Sequence, residues 1–140
     1  MHWDYTRPVS EEVVRRVETR LGVKFPASYV ECVKKYNNGV PQAYLYYMGN
    51  GRERVFGQLI DIRDSLDVYE TLIEEHNGPE HVIPFAEDPA GNFICFDYRG
   101  ISDGEEPSIV FFDHEVEGGA IQKICDSFSD LLDMLHEPCD

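Results

Sequence analysis

Apolar and polar positions along this chain change period several times, and each change marks an element. Between Glu11 and Leu21, Val13, Val14, Val17 and Leu21 fall on one stripe of a helical repeat. Ser10 stands where an N-cap belongs, Glu11 and Glu12 complement the positive end of the helix dipole, and Gly22 offers a left-handed stop. A second helix opens at Pro26, buries Tyr29, Val30, Val33 and Tyr36, and ends at Asn37-Asn38-Gly39. Strands are expected over Tyr44–Met48 and Arg54–Ile60, joined as a hairpin by Gly49-Asn50-Gly51. A third helix is predicted over Ser65–His76, with Leu66, Tyr69, Leu72 and Ile73 inward, Asp64 or Ser65 as cap and Asn77-Gly78-Pro79 closing it.

The second half reads mostly as strands. Val82–Phe85, Asn92–Tyr98, Pro107–Phe112 and Gly119–Cys125 are the segments, and Asp88-Pro89-Ala90-Gly91 is a turn. Pro84 is expected at a strand start or an edge, because it has no N–H for an inner ladder. Asp88 and Asp97 are expected to accept from nearby backbone N–H groups. A final helix follows Ser127, which has Asp130 at capping-box spacing, and Phe128, Leu131, Leu132 and Leu135 repeat at i, i+3, i+4 and i+7. The pattern predicts one α+β domain spanning residues 1–140, an antiparallel-rich mixed sheet flanked by about four helices.

Charge changes this picture. The chain carries a formal net charge of −15 over 140 residues. Residues 1–54 hold nine Lys/Arg against six Asp/Glu, whereas residues 55–140 hold three against 21. Such a field repels nucleic acid and anionic membrane and attracts basic proteins and cations. Arg15, Arg16 and Arg20 are expected to pair with the acidic half or face solvent. The longest apolar runs, such as Ala43 to Met48, are too short to span a bilayer. The start of the chain shows no signal-peptide pattern, and Cys32, Cys95, Cys125 and Cys139 match no zinc spacing. Both facts predict reduced thiols in a cytoplasmic protein, with Cys32, Cys95 and Cys125 as core fillers.

Enzyme chemistry finds little footing. No nucleophile elbow, phosphate loop or dinucleotide fingerprint occurs. His76 and His81 lie near Glu74, Glu75 and Glu80, and Asp113-His114-Glu115 follows an apolar strand. Neither has the spacing of a helical metal motif, and at most two residues of the second group can share a face. The expectation is a non-enzyme with no metal and no cofactor.

Four segments in order carry a family resemblance. They are VVRRVETRLGVKFPASYVECVKKYNNG (Val13 to Gly39), VIPFAEDPAGNFICFDY (Val82 to Tyr98), and IVFFDHE (Ile109 to Glu115) followed by SFSDLLDML (Ser127 to Leu135). Together they resemble the SUKH superfamily, which includes fungal cell-wall-synthesis regulators and bacterial immunity proteins. The resemblance implies a non-enzymatic immunity protein whose partner is a cognate polymorphic toxin. With the charge partition, that partner is expected to be a basic nuclease domain whose active site is occluded. The alternatives are an intracellular regulatory or scaffold module and, third, a small metal-dependent hydrolase using carboxylates with His81 or His114. Candidate contact residues fall in two groups. One is acidic, comprising Glu87, Asp88, Asp103, Glu105 and Glu106, the last three inside the polar run Gly100 to Pro107. The other is aromatic, with Tyr44 and Tyr46 on one face of their strand and Tyr47 on the other.

Overall fold

The structure, a computed structural model, describes residues 1–102, 104–116 and 120–139. Nine strands and four α-helices occur among them: β1 (Trp3–Asp4), α1 (Glu11–Leu21), α2 (Ala27–Tyr36), β2 (Val40–Pro41), β3 (Leu45–Tyr47), β4 (Glu53–Val55), β5 (Gln58–Leu59), α3 (Ser65–His76), β6 (Val82–Glu87), β7 (Phe93–Asp97), β8 (Ser108–Asp113), β9 (Ala120–Cys125) and α4 (Phe128–Met134). A 3₁₀ turn, Ile62–Asp64, leads into α3. Every strand pairing among the described residues is antiparallel.

Local chemistry explains the helix ends. The Ser10 hydroxyl accepts from the Val13 N–H, and Gly22 closes α1 at φ 72°. The Ser127 hydroxyl accepts from the Asp130 N–H at 3.1 Å, as the capping spacing predicts. Asn77 closes α3 in the left-handed region, and Asp64 stands at its N-cap position without a side-chain bond.

The five-stranded sheet has the order β5-β6-β7-β8-β9. One face presents Ile83, Phe85, Ile94, Phe96, Ile109 and Phe111 to the main core, which also holds Val14, Tyr29 and Phe128 from α1, α2 and α4. The opposite face buries Val82, Phe93, Cys95, Val110 and Phe112 in a second core with Leu72 of α3. Both faces are covered, so the central strands read as apolar runs. Tyr29 is the hub of the main core. Its ring lies 4.9 Å from Phe25, 5.1 Å from Phe96, 5.4 Å from Phe128 and 5.9 Å from Phe85.

Two expectations change. The strand expected over Arg54–Ile60 is divided, because β4 pairs with β3 in the hairpin while β5 pairs with β6 in the sheet. Pro84 lies within β6, not at its start. It is tolerated there because a bulge follows it and β5 is too short to reach it. Asn38 adopts positive φ at the end of α2, within the expected Asn37-Asn38-Gly39 stop. Gly39 answers a close approach, since a Cβ there would sit 2.6 Å from the Tyr36 carbonyl oxygen and 3.0 Å from the Trp3 ring. Gly119, expected to open β9, lies outside the described residues.

Two buried polar residues fix the connections. Glu18 accepts from the Phe25 N–H at 2.6 Å and from Arg15 at 2.7 Å, which ties the α1–α2 loop to its helix. Asn37 donates to Asp61 at 3.0 Å and accepts from the Ile62 N–H at 2.8 Å. Asp61 also receives the Arg63 guanidinium at 3.0 and 2.7 Å. Hydrogen bonds from Arg63, helped by Asn37 and opposed by burial, hold the Asp61 carboxyl down at about 2. A carboxyl lowered on folding stabilises the native state above its ordinary value of 3.8, and the contribution fades as pH falls through 3.8 toward 2. Asp61→Asn is therefore expected to cost about 2 kcal/mol at pH 7. Urea unfolding should find the gap from wild type closing between about pH 4 and pH 2.

Candidate functional site

The charge partition survives folding because the Lys and Arg side chains that form ion pairs find their partners close by in the chain. Arg15 bonds Glu18 and Glu11, and Arg16 bonds Glu12. These are contacts within α1, and Arg15, Arg16 and Arg20 are exposed, so of the two outcomes expected from sequence it is the solvent-facing one that holds. In residues 55–140, Arg63 pairs with Asp61, Arg99 with Asp97 and Lys123 with Asp126, each two or three residues away. No long-range cation is spent on the other carboxylates of that half among these pairs.

The expected contact residues are distributed over three places. Glu87 and Asp88 form the β6–β7 turn at one end of the sheet, since Glu87 pairs with Phe93. Glu105 and Glu106 follow β7 at the other end, where Asp97 pairs with Ser108. Strands of five to six residues hold those ends about 17–20 Å apart. Glu105 and Glu106 line a cleft of ≈ 220 Å³ together with Lys24, Phe25 and Pro26. The Tyr98 hydroxyl donates to the Lys24 carbonyl at 2.8 Å and fixes that loop. Asp103 lies outside the described residues.

The tyrosines divide as well. Tyr46 is 0% exposed, packed in the main core, and so leaves the contact group. The Tyr46 face of β3 is the one turned to the core, while on the other face Leu45 is buried and Tyr47 is exposed, which alternation alone could not reveal. Tyr44 is half-buried, and its carbonyl accepts from the Phe56 N–H at 2.6 Å. Tyr47 is 51% exposed and stacks on His136, with ring centroids 5.0 Å apart. The nearby Glu53 carboxylate raises the pKa of its hydroxyl. Beneath the hairpin, the Arg54 guanidinium lies 4.1 Å over the Phe111 ring.

Asp88 has a structural task, as its position in the turn predicts. Its carboxylate accepts from the N–H groups of Ala90 at 2.9 Å and Asn92 at 2.8 Å, and from the Asn92 side-chain amide at 3.2 Å. Asp97 likewise accepts from the Arg99 N–H at 3.0 Å. Glu87 is therefore the exposed charge of the turn.

Sequence reasoning missed Tyr5. Its side chain is 77% exposed, yet its backbone sits at φ 60°, a region costly for a bulky residue. The Asn38 amide holds it there by donating to the Tyr5 carbonyl at 3.1 Å. The Asn38 carbonyl in turn accepts from the Gln58 amide at 2.9 Å, and Gln58 is the cross-strand partner of Glu87. Tyr5, Asn38, Gln58 and Glu87 thus form one connected edge of the molecule. No local pattern marks Tyr5, because its conformation is imposed from 33 residues away.

Catalytic features are sparse. Burial pushes the Cys32 thiol up to about 12 and the Cys125 thiol up to about 11, so neither offers a thiolate at neutral pH. Among the described residues, no three His, Cys, Asp or Glu side chains converge to hold a metal. No described helix is long and apolar enough to cross a membrane. No curated protein matches the chain. The model of the SMI1 / KNR4 family (SUKH-1) matches residues 8–134. That span runs from the segment before α1 to the end of α4 and includes all four quoted segments except Leu135, the last residue of the fourth. With an antiparallel α+β fold beneath it, the chain belongs to the SMI1/KNR4 family, SUKH-1.

Proposed function

We propose that this protein is a non-enzymatic immunity protein that binds a cognate polymorphic toxin, a basic nuclease domain, and blocks its active site. Family membership is consistent with an immunity role or an SMI1/KNR4-type regulatory role. The observation that favours direct binding of a basic partner is the edge formed by Tyr5, Asn38, Gln58 and Glu87. Tyr5 is strained and exposed, so its ring gains nothing from the protein's own core. Tyrosine supplies large contact area at low conformational cost, and a neighbouring carboxylate favours Arg or Lys on the partner. Asp88 supports this edge from within by ordering the turn that carries Glu87. The hydrogen bonds that connect this edge do not include Tyr44 or Tyr47, and the Glu105–Glu106 cleft lies at the other end of the sheet.

Electrostatic steering by residues 55–140 would speed encounter, and salt would screen it. The association rate with the purified toxin domain is therefore expected to fall about tenfold or more between low and high salt. Co-expression with the toxin encoded beside this protein is expected to rescue growth. Cells that survive that toxin equally well without the protein would reject the immunity reading. Recovery of a regulatory complex in place of a toxin would favour the regulator.

A further inference from the structure

We infer that His76 and His114 form a site for one divalent transition-metal ion at the Glu87 end of the sheet. The two residues stand 38 positions apart, and the fold brings them together where α3 packs on the second core. Their rings meet edge to face with centroids 5.6 Å apart and planes at 78°. Two imidazoles on one ion, each with a metal–nitrogen bond of about 2.0–2.1 Å, place their centroids about 5–6 Å apart. The observed separation falls within that range.

The surroundings of His114 prepare one nitrogen. Asn92 Oδ1 lies 2.7 Å from His114 Nδ1 and also accepts from the His114 backbone N–H at 3.1 Å. The Asn92 amide nitrogen is committed to Asp88, which leaves its oxygen as an acceptor. Neutral His114 therefore carries its proton on Nδ1 and keeps the Nε2 lone pair free. An imidazole whose other nitrogen donates to a fixed acceptor is the usual state of a metal-binding histidine. Gly91 keeps that edge open: a Cβ there would lie 3.3 Å from His114 Cε1 and 3.7 Å from Nε2. Neighbouring carboxylates do not complete the shell. Asp113 is turned to the Glu115 N–H at 2.9 Å, and no third His, Cys, Asp or Glu converges among the described residues. The site is thus two imidazoles with water in the remaining positions, a donor set that suits zinc, nickel or copper rather than calcium or magnesium.

Proton–nitrogen NMR of the histidine rings tests this on the full chain, with Cys139→Ser removing the exposed thiol. Before metal is added, His114 is expected as the Nδ1–H tautomer. Zn²⁺ is expected to shift His76 and His114 together, saturating at a single equivalent, with Nε2 of His114 as the ligating atom. His76→Gln and His114→Gln should each weaken Zn²⁺ binding by about tenfold or more, and His81→Gln should leave it unchanged. An Nε2–H tautomer in the free protein, separate saturation of the two rings, or undiminished affinity in both glutamine variants overturns the site.

Discussion

A Tyr5→Gly chain is expected to fold at least as well as the wild type and to lose most of its partner binding. The two effects have different origins. Tyr5 holds a left-handed backbone that costs a side-chain-bearing residue about 1 kcal/mol, and its exposed ring returns little packing. Glycine removes that strain, although its greater freedom in the unfolded chain offsets part of the gain. At an interface, a tyrosine that anchors the contact is worth about 2–4 kcal/mol, which is ~30- to 1000-fold in Kd. Thermal unfolding and a binding titration against the cognate toxin separate the two. Unchanged affinity would remove Tyr5 from the interface. A Glu87→Lys chain should weaken binding through a slower association rate, because a reversed rim charge acts mainly on encounter.

Phe96→Ala is expected to have the largest effect on stability, a loss of about 4 kcal/mol. Phe96 is fully buried and lies face to face with Phe85, with centroids 4.2 Å apart. It also meets Tyr29 at 5.1 Å and Phe128 at 6.1 Å, so its removal opens a cavity shared by α2, α4 and the sheet. Domains of this size have total stabilities of about 5–15 kcal/mol, so the variant should populate unfolded chains at elevated temperature. Urea unfolding gives the value directly. A loss below about 2 kcal/mol would mean that the aromatic cluster repacks around the gap.

Elements whose limits depend on neighbouring residues were legible. The bounds of α1 and α3 agree with the helical stripes and stop signals at Gly22 and Asn77. The hairpin around Gly49-Asn50-Gly51 and the β6–β7 turn held by Asp88 follow from turn chemistry. The pair β1–β2 was not legible. Each strand has two residues, and Trp3 pairs with Pro41 across the intervening α1 and α2, a pairing that no local pattern marks. The division of the Arg54–Ile60 segment was hidden for a similar reason, since two different sheets compete for it.

The candidate site was legible in kind but not in place. An acidic turn at Glu87 and an exposed aromatic were expected, yet the aromatic on the connected edge is Tyr5. Alternation separated Tyr46 from Tyr47, but which of them met solvent depended on the sheet packed beneath β3. Five acidic candidates looked like one group along the chain. Antiparallel strands carried Glu87 to one end of the sheet and Glu105 to the other.

The sequence by itself determined the caps, the turns, the alternating faces and the concentration of carboxylates after residue 54, because each depends on bonding within a few residues or on composition alone. Tertiary structure decided which tyrosines face water, how far apart the acids lie, and that His76 meets His114. Those outcomes depend on segments tens of residues apart competing for the same space, and no local preference encodes the winner.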